Sequence, residues 1–385
     1  MASSHHLMNL HDNRSLANDT TSSSSVSLEG THKQTILSKV FNSGRRNLFK
    51  YVSGLLFLGF TAQSVYLYRL EAGLVRIPND PFDNWFGHDV SGTRPEVWSE
   101  ERQLFLRKVL PVPVHSHNDY ERRIPLFEAL GSGCISVEAD VHLKDNDLLV
   151  GHSDANLHKD VTLRSLYLEP LQRILEAQNV GTMTRRGVFD RAPEQTLVLL
   201  VDFKSSGPEA FAKMDAQLES LRDLDFLTYW NGTTRIMRPL TIVASGNSNF
   251  DSVLALNATH RDIFWDAKLE RLVAGDDNLD NEPPTYKFNQ SNSYFASTEF
   301  RNAMLYVSPN DTGTSSSQLE QARVRGLLTR YWDTPSEPPN LREVVWRVLV
   351  DAGVGVLNVD DLGAVRARAK GVGSLGQGTT HHPTI

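Results

Sequence analysis

The chain has a single cysteine, Cys134, in 385 residues, which excludes any disulfide within it. That cysteine stands in the apolar run CISV and reads as a core residue, not a nucleophile. A nucleotide-binding loop after the first strand is lacking too. Neither G-x-G-x-x-G nor G-x-x-x-x-G-K follows the first strand candidate, which removes the commonest function of an open parallel sheet. Basic charge is short: 39 Lys and Arg against 46 Asp and Glu give a formal charge of -7. With no dense Lys/Arg run, a nucleic-acid role is excluded, because phosphate-backbone binding needs a basic surface. Histidines are also sparse late in the chain, where only His260 follows His158 before the terminal His381 and His382.

The N-terminal region carries targeting information. Residues 1–44 are rich in Ser, Asn, Asp and Thr, with too few large apolar side chains to fold alone, and predict a disordered tail. Arg45, Arg46 and Lys50 then precede the uncharged stretch Tyr51 to Leu67, at the lower length limit for a membrane span. A cleaved signal peptide has a short leading region, whereas here some 50 residues come first, so residues 45–70 predict a retained transmembrane signal anchor. Lys39, Arg45, Arg46 and Lys50 outweigh Arg69 and Arg76, which predicts a cytosolic N-terminus and a lumenal or extracellular remainder. Sequons at Asn231, Asn257, Asn289 and Asn310 agree with a glycoprotein on that side. Residues 71–110 form a connector containing Phe82, Trp85, Phe86 and Trp98, and the glycine-rich 366–385 predict a disordered end.

From 111 to 365 short apolar runs alternate with helical stretches, the pattern of a parallel sheet covered by helices. Strand candidates are Pro113 to Ser116, Cys134 to Val141, Leu148 to Gly151, Thr196 to Phe203, Leu240 to Ser245, Asp262 to Trp265, Ala303 to Val307 and Val354 to Asn358. Helix candidates are Pro125 to Leu130, Leu163 to Gln178, Pro208 to Leu221 and Leu341 to Ala352. Eight strands with polar residues at their ends predict a (β/α)8 TIM barrel, in which catalytic groups gather at strand C-termini.

Three segments carry the chemistry: HSHND (His115 to Asp119), VEAD (Val137 to Asp140) leading into VGH (Val150 to His152), and LVDFK (Leu200 to Lys204). Strand alternation puts Glu138 with Asp140, and Asp202 with Lys204, on one side of their strands. Burying an unpaired carboxylate costs several kcal/mol, so three of them near histidines and a lysine suggest a bound cation and a polyanionic substrate.

The order of a His, then E-x-D, then a His 14 residues after that Glu, then acidic-x-Lys resembles the PLC-like and glycerophosphodiester phosphodiesterase barrels. Within these, the string PVHSHNDYERRIPLFEALGSGCISVEADV resembles the fungal altered inheritance of mitochondria protein 6 family, over residues 111–362. The resemblance implies a phosphoric diester hydrolase with His115 and His152 as catalytic histidines. It further implies Glu138, Asp140 and Asp202 as ligands of Mg²⁺ or Ca²⁺, and Lys204 facing the phosphate. Glycerophosphodiesterases carry Arg after the first histidine; Ser116 stands here, leaving Arg122 or Arg123 as substitutes or as surface charge. His115 and Asn118 resemble the H-x-x-N of spider-venom sphingomyelinase D. Asp154 either orients His152 or serves a turn. Asn358, Asp360 and Asp361 resemble the polar end of the last barrel strand.

Two other functions compete. His115 and His117 form the H-x-H of metal-dependent amidohydrolases, but that class needs further histidines on later strands. His117 is then a third site histidine or a structural one. The other is a non-catalytic, membrane-anchored binding protein, although no member of the catalytic set is degraded. A lipid headgroup fits as the substrate if the anchor holds.

Overall fold

The computed structural model describes residues 50–67, 104–274, 286–305 and 314–371. The chain divides into two units, Met1–Pro78 and Asn79–Ile385. In the first, residues 50–67 form a helix. No helix among the described residues is long and apolar enough to cross a membrane, so the span expected at 51–67 is not borne out. Lys50, Gln63 and Ser64 dilute the apolar character of the 50–67 helix. The tail 1–44, residues 68–103, 372–385 and the sequon Asn310 lie outside the described residues.

The described residues of the second unit hold eleven strands: β1 Val112–Ser116, β2 Cys134–Lys144, β3 Asp147–Val150, β4 Leu197–Phe203, β5 Tyr229–Trp230, β6 Arg235–Ile236, β7 Leu240–Gly246, β8 Ile263–Lys268, β9 Ser293–Glu299, β10 Leu328–Trp332 and β11 Leu357–Val359. Eight of them run parallel in the order β10-β9-β8-β7-β4-β2-β1-β11. A parallel bridge between Arg330 and Val356 joins the two ends, with Val356 N donating to Thr329 O at 3.1 Å, so the sheet closes into a barrel. Helices follow the strands, among them Phe127–Gly131, Glu169–Gln178, Pro208–Gln217 and Pro339–Ala352.

Six of the eight expected strands belong to this barrel, and two corrections follow. Leu148 to Gly151 pairs antiparallel with the end of β2, outside the ring. Residues 303–305 of the expected strand at Ala303 to Val307 lie in the helix Phe300–Leu305 instead. A short apolar run does not distinguish helix from strand by its pattern. The barrel is completed by β9 and β10, whose SYFASTE and LTRYW carry polar residues in alternation.

Alternation along each strand sorts side chains between two surroundings. On β4, Leu197, Leu199, Val201 and Phe203 pack outward with Leu171, Ile174 and Met214 of the covering helices. Val198 and Leu200 turn inward with Val243, Phe264, Phe295 and Val356 and fill the lower barrel. Other strand residues are buried and polar instead: His115, Ser136, Glu138, Asp266, Ser297, Arg330 and Asn358 form a polar layer.

Two local devices shape the mouth above that layer. Asp145 (φ 48°) and Asn146 (φ 60°) form the two-residue turn between β2 and β3. Positive φ at both positions is what a tight hairpin requires, and Asp and Asn accept it readily. The hairpin folds the chain back so that Gly151 N bonds Asp140 O at 3.2 Å, which brings His152 beside Asp140. After β1, buried Asp119 accepts bonds from Ser116 Oγ (2.8 Å), Leu126 N (2.6 Å) and Tyr167 OH (3.0 Å) and fixes the loop that presents His117, Asn118 and Tyr120.

Candidate active site

The three expected cation ligands come together at the mouth. Glu138, Asp140 and Asp202 each offer a ligand atom within 4.8 Å of the others. Asp140 and Asp202 are register partners across β2 and β4. Like charges set directly opposite repel, so this pair needs a cation. Lys204 Nζ supplies part of it, 3.0 Å from Asp140 Oδ2 and 3.2 Å from Asp202 Oδ2. The other oxygens, Asp140 Oδ1 and Asp202 Oδ1, are buried without a hydrogen-bond partner. Gly246 makes room for Asp202: a Cβ there would lie 1.8 Å from Asp202 Oδ1.

The electrostatics follow from burial. Burial and the nearby Glu138 charge raise the Asp202 carboxyl to about 6 and push Asp140 up as well. Burial alone would lower Lys204, but Asp202 and Asp140 overcome it and raise the ammonium. Glu138 behaves oppositely: burial would raise it, yet the His115 bond and the Arg330 charge hold it below the usual carboxylate range. Among the described residues, the carboxylates Glu138, Asp140, Asp202 and Asp266 around the mouth face only Lys204 and Arg330 as fixed cations. A divalent cation would balance that excess. Oxygen donors, two unpartnered carboxylate oxygens and missing positive charge together fit a hard ion.

The expected histidines occupy three different surroundings. His115 is fully buried, with Nδ1 2.7 Å from Ser136 Oγ and Nε2 2.9 Å from Glu138 Oε2. Burial lowers it to about 4 and keeps the ring neutral, so Nε2–H donates to Glu138 and Nδ1 accepts from Ser136. His117 lies beyond the end of β1, its Nδ1 2.7 Å from Asp360 Oδ1. Burial would lower it, but the Asp360 bond and the Glu138 charge raise it. His152 is the most open, with 60% of its side chain exposed and Nδ1 3.2 Å from Tyr120 OH. His115 touches the carboxylate trio through Glu138, but neither it nor His117 is among the residues whose ligand atoms gather there. This geometry does not make an amidohydrolase H-x-H.

The remaining expected residues are placed as follows. Asn118, in the left-handed conformation (φ 47°), sets its Oδ1 3.2 Å from Tyr120 OH. Asp154 pairs with His142 (3.2 Å) and Lys144 (3.3 Å) and thereby braces the β2–β3 hairpin. Arg122 holds the carbonyls of His117, Val359 and Asp360, so it clamps the ends of β1 and β11 together. Asp361 binds Arg342 at 2.6 Å, and Asn358 Oδ1 accepts from Arg330 at 3.2 Å.

Comparison with known proteins places the chain in a family. Residues 103–266 match the family model described as the AIM6-like phosphodiesterase domain. An altered inheritance of mitochondria protein 6 homolog of Arthroderma benhamiae is 36% identical over 289 residues, covering 68% of this chain and 84% of that protein. The altered inheritance of mitochondria protein 6 of Eremothecium gossypii is 36% identical over 299 residues, covering 71% and 75%. The chain belongs to the altered inheritance of mitochondria protein 6 family. Among solved structures, a phosphatidylinositol-specific phospholipase C from Listeria monocytogenes aligns with a TM-score of 0.36 and 11% identity, over 69% of this chain and 95% of that one. A glycerophosphoryl diester phosphodiesterase from Parabacteroides distasonis aligns with 0.39 and 12%, over 72% and 94%.

In this member of the altered inheritance of mitochondria protein 6 family, the residues missed by sequence reasoning are Tyr120, Ser136, Asp266 and Arg330. Arg330 is buried in the barrel and donates to Glu138 Oε2 (3.2 Å), Asp266 Oδ2 (3.2 Å) and Ser297 Oγ (3.1 Å). Its signal was an arginine between Thr329 and Tyr331 in a β-prone run, the mark of a charge facing a barrel interior. Tyr120 stands two residues after Asn118, and only the loop geometry brings its hydroxyl to Asp140 Oδ2, at 2.7 Å.

Proposed function

We propose that this chain hydrolyses phosphoric diesters at the mouth of the barrel, with Glu138, Asp140 and Asp202 holding Mg²⁺ or Ca²⁺. The observation that carries the reading is the pair of buried, unpartnered oxygens, Asp140 Oδ1 and Asp202 Oδ1, set beside Lys204. A hard cation there supplies Lewis-acid polarisation of a phosphoryl oxygen. Lys204, with 29% of its side chain exposed, offers a charged hydrogen bond to the same phosphate.

In this reading His117 and His152, with 20% and 60% of their side chains exposed, carry the proton work, and the buried His115 of the expected pair does not. His115 supports Glu138 from below, since both of its ring nitrogens are engaged. His117, held by Asp360 and raised toward the protonated form, donates to the leaving oxygen. His152 takes the proton of the attacking hydroxyl, from water or from the substrate itself. A lipid headgroup as the diester, and a location at a membrane surface, are supported by the exposed Leu55, Phe57, Leu58 and Phe60 of the 50–67 helix.

The test is hydrolysis by the full chain of glycerophosphodiester, lysolipid and sphingolipid diesters, followed by phosphorus NMR, with and without chelator and beside Asp140→Asn. Turnover lost in both controls supports the reading. A folded chain that binds the cation and turns over none of the diesters is a binding protein instead.

A further inference from the structure

The hydroxyl of Tyr120 lies among Asp140 Oδ2 (2.7 Å), His152 Nδ1 (3.2 Å) and Asn118 Oδ1 (3.2 Å). It owns one proton. The shortest contact, and the one charged acceptor, is Asp140 Oδ2, where a hydrogen bond to an ionised oxygen is strongest. With its proton there, the tyrosine oxygen faces His152 Nδ1 with lone pairs only. The direct approach of Asp140 Oδ2 to Nδ1 is longer, at 3.5 Å.

We infer that Tyr120 is the positioning residue for His152: its hydroxyl donates to Asp140 Oδ2 and accepts the Nδ1 proton of His152, which leaves the lone pair on Nε2. The chain Asp140, Tyr120, His152 then works as a carboxylate–imidazole pair with a phenol inserted. It sets the tautomer and aims an unprotonated Nε2 outward, as orienting groups do for other catalytic imidazoles. His152 needs such a holder because it sits after the hairpin and is mostly exposed, so few packing contacts fix its ring. The inference deepens the proposed function by explaining how His152 serves as the base, and rests on that reading for its catalytic meaning.

The test uses the full chain labelled with ¹⁵N-histidine, in mildly alkaline buffer, the His152 signals being assigned by their loss in His152→Gln. Nitrogen–proton correlations are expected to show His152 protonated on Nδ1, and Tyr120→Phe to shift it toward the Nε2–H form. On a phosphodiester, the same variant is expected to lower kcat roughly 10–100-fold with KM unchanged, the effect of losing a partner that orients a site group. His152 in the Nε2–H form in the unaltered chain, or an unchanged tautomer in Tyr120→Phe, overturns the inference. If that variant does not fold, the spectrum of the unaltered chain decides alone. The spectrum also decides in a chain without turnover, so this inference and the proposed hydrolysis fail separately.

Discussion

Asp140 and Asp202 stand directly beside one another on neighbouring parallel strands, each with one oxygen against Lys204 and the other buried without a partner. The arrangement is costly to the folded chain and useful only to something that brings positive charge. Asp202→Asn removes one of the two charges. It is expected to raise the stability of the chelator-treated protein at neutral pH by about 1 kcal/mol. It should also abolish the stabilisation that Mg²⁺ or Ca²⁺ gives the unaltered chain. Urea unfolding with and without cation measures both effects.

Gly246 ends β7 at φ +65°, and a Cβ there would meet Asp202 Oδ1 at 1.8 Å and Phe203 O at 2.7 Å. Gly246→Ala is expected to cost about 1–2 kcal/mol from the left-handed backbone alone. By pushing the Asp202 carboxylate aside, it should also weaken cation binding at least tenfold. Calorimetric titration with Mg²⁺ checks this, and an unchanged affinity would show that Asp202 Oδ1 is not a ligand.

Arg330 joins Glu138 and Asp266 inside the barrel. Arg330→Met leaves both carboxylates without their shared partner, and breaking a buried pair in this way costs about 3–5 kcal/mol. Arg323→Ala, which breaks only the exposed pair with Glu320, is expected to leave the unfolding midpoint unchanged. Denaturant unfolding of the two variants side by side makes the comparison.

Acid lability should carry two opposed contributions. His115 falls from 6.5 to about 4 on folding, so the native chain binds fewer protons than the unfolded one between these values. That stability is complete above 6.5 and is lost as pH drops toward 4. Asp202 rises from 3.8 to about 6, so the native chain binds more protons in that window, and its contribution falls as pH rises. In Asp202→Asn the second contribution is gone. Stability without cation is therefore expected to decline more steeply from pH 6 to pH 4 than in the unaltered chain, as measured by urea midpoints across that range.

Much of the site was legible because strand alternation places Glu138 with Asp140 and Asp202 with Lys204 whatever the tertiary detail. The barrel was legible from the alternation of apolar runs and helices, although β9 and β10 were not. Their polar inward residues, Ser297 and Arg330 among them, disguise the pattern that marks a buried strand. The different surroundings of His115, His117 and His152 depend on where the loop after β1 runs and where the hairpin returns the chain, which spacing does not encode. Tyr120 and Asp266 reach the mouth only through that folding. The charge-free run at 51–67 carries Gln63 and Ser64 among its apolar residues, and the span it suggests is not borne out among the described residues.

The most direct test of the account is titration of the purified full chain with Mn²⁺ by electron paramagnetic resonance, with Mg²⁺ and Ca²⁺ as competitors. The account predicts one ion per chain, displaced by Mg²⁺ or Ca²⁺ and lost in Asp140→Asn and Asp202→Asn while both variants remain folded. No binding to the folded, unaltered chain, or binding that survives both substitutions, would contradict it.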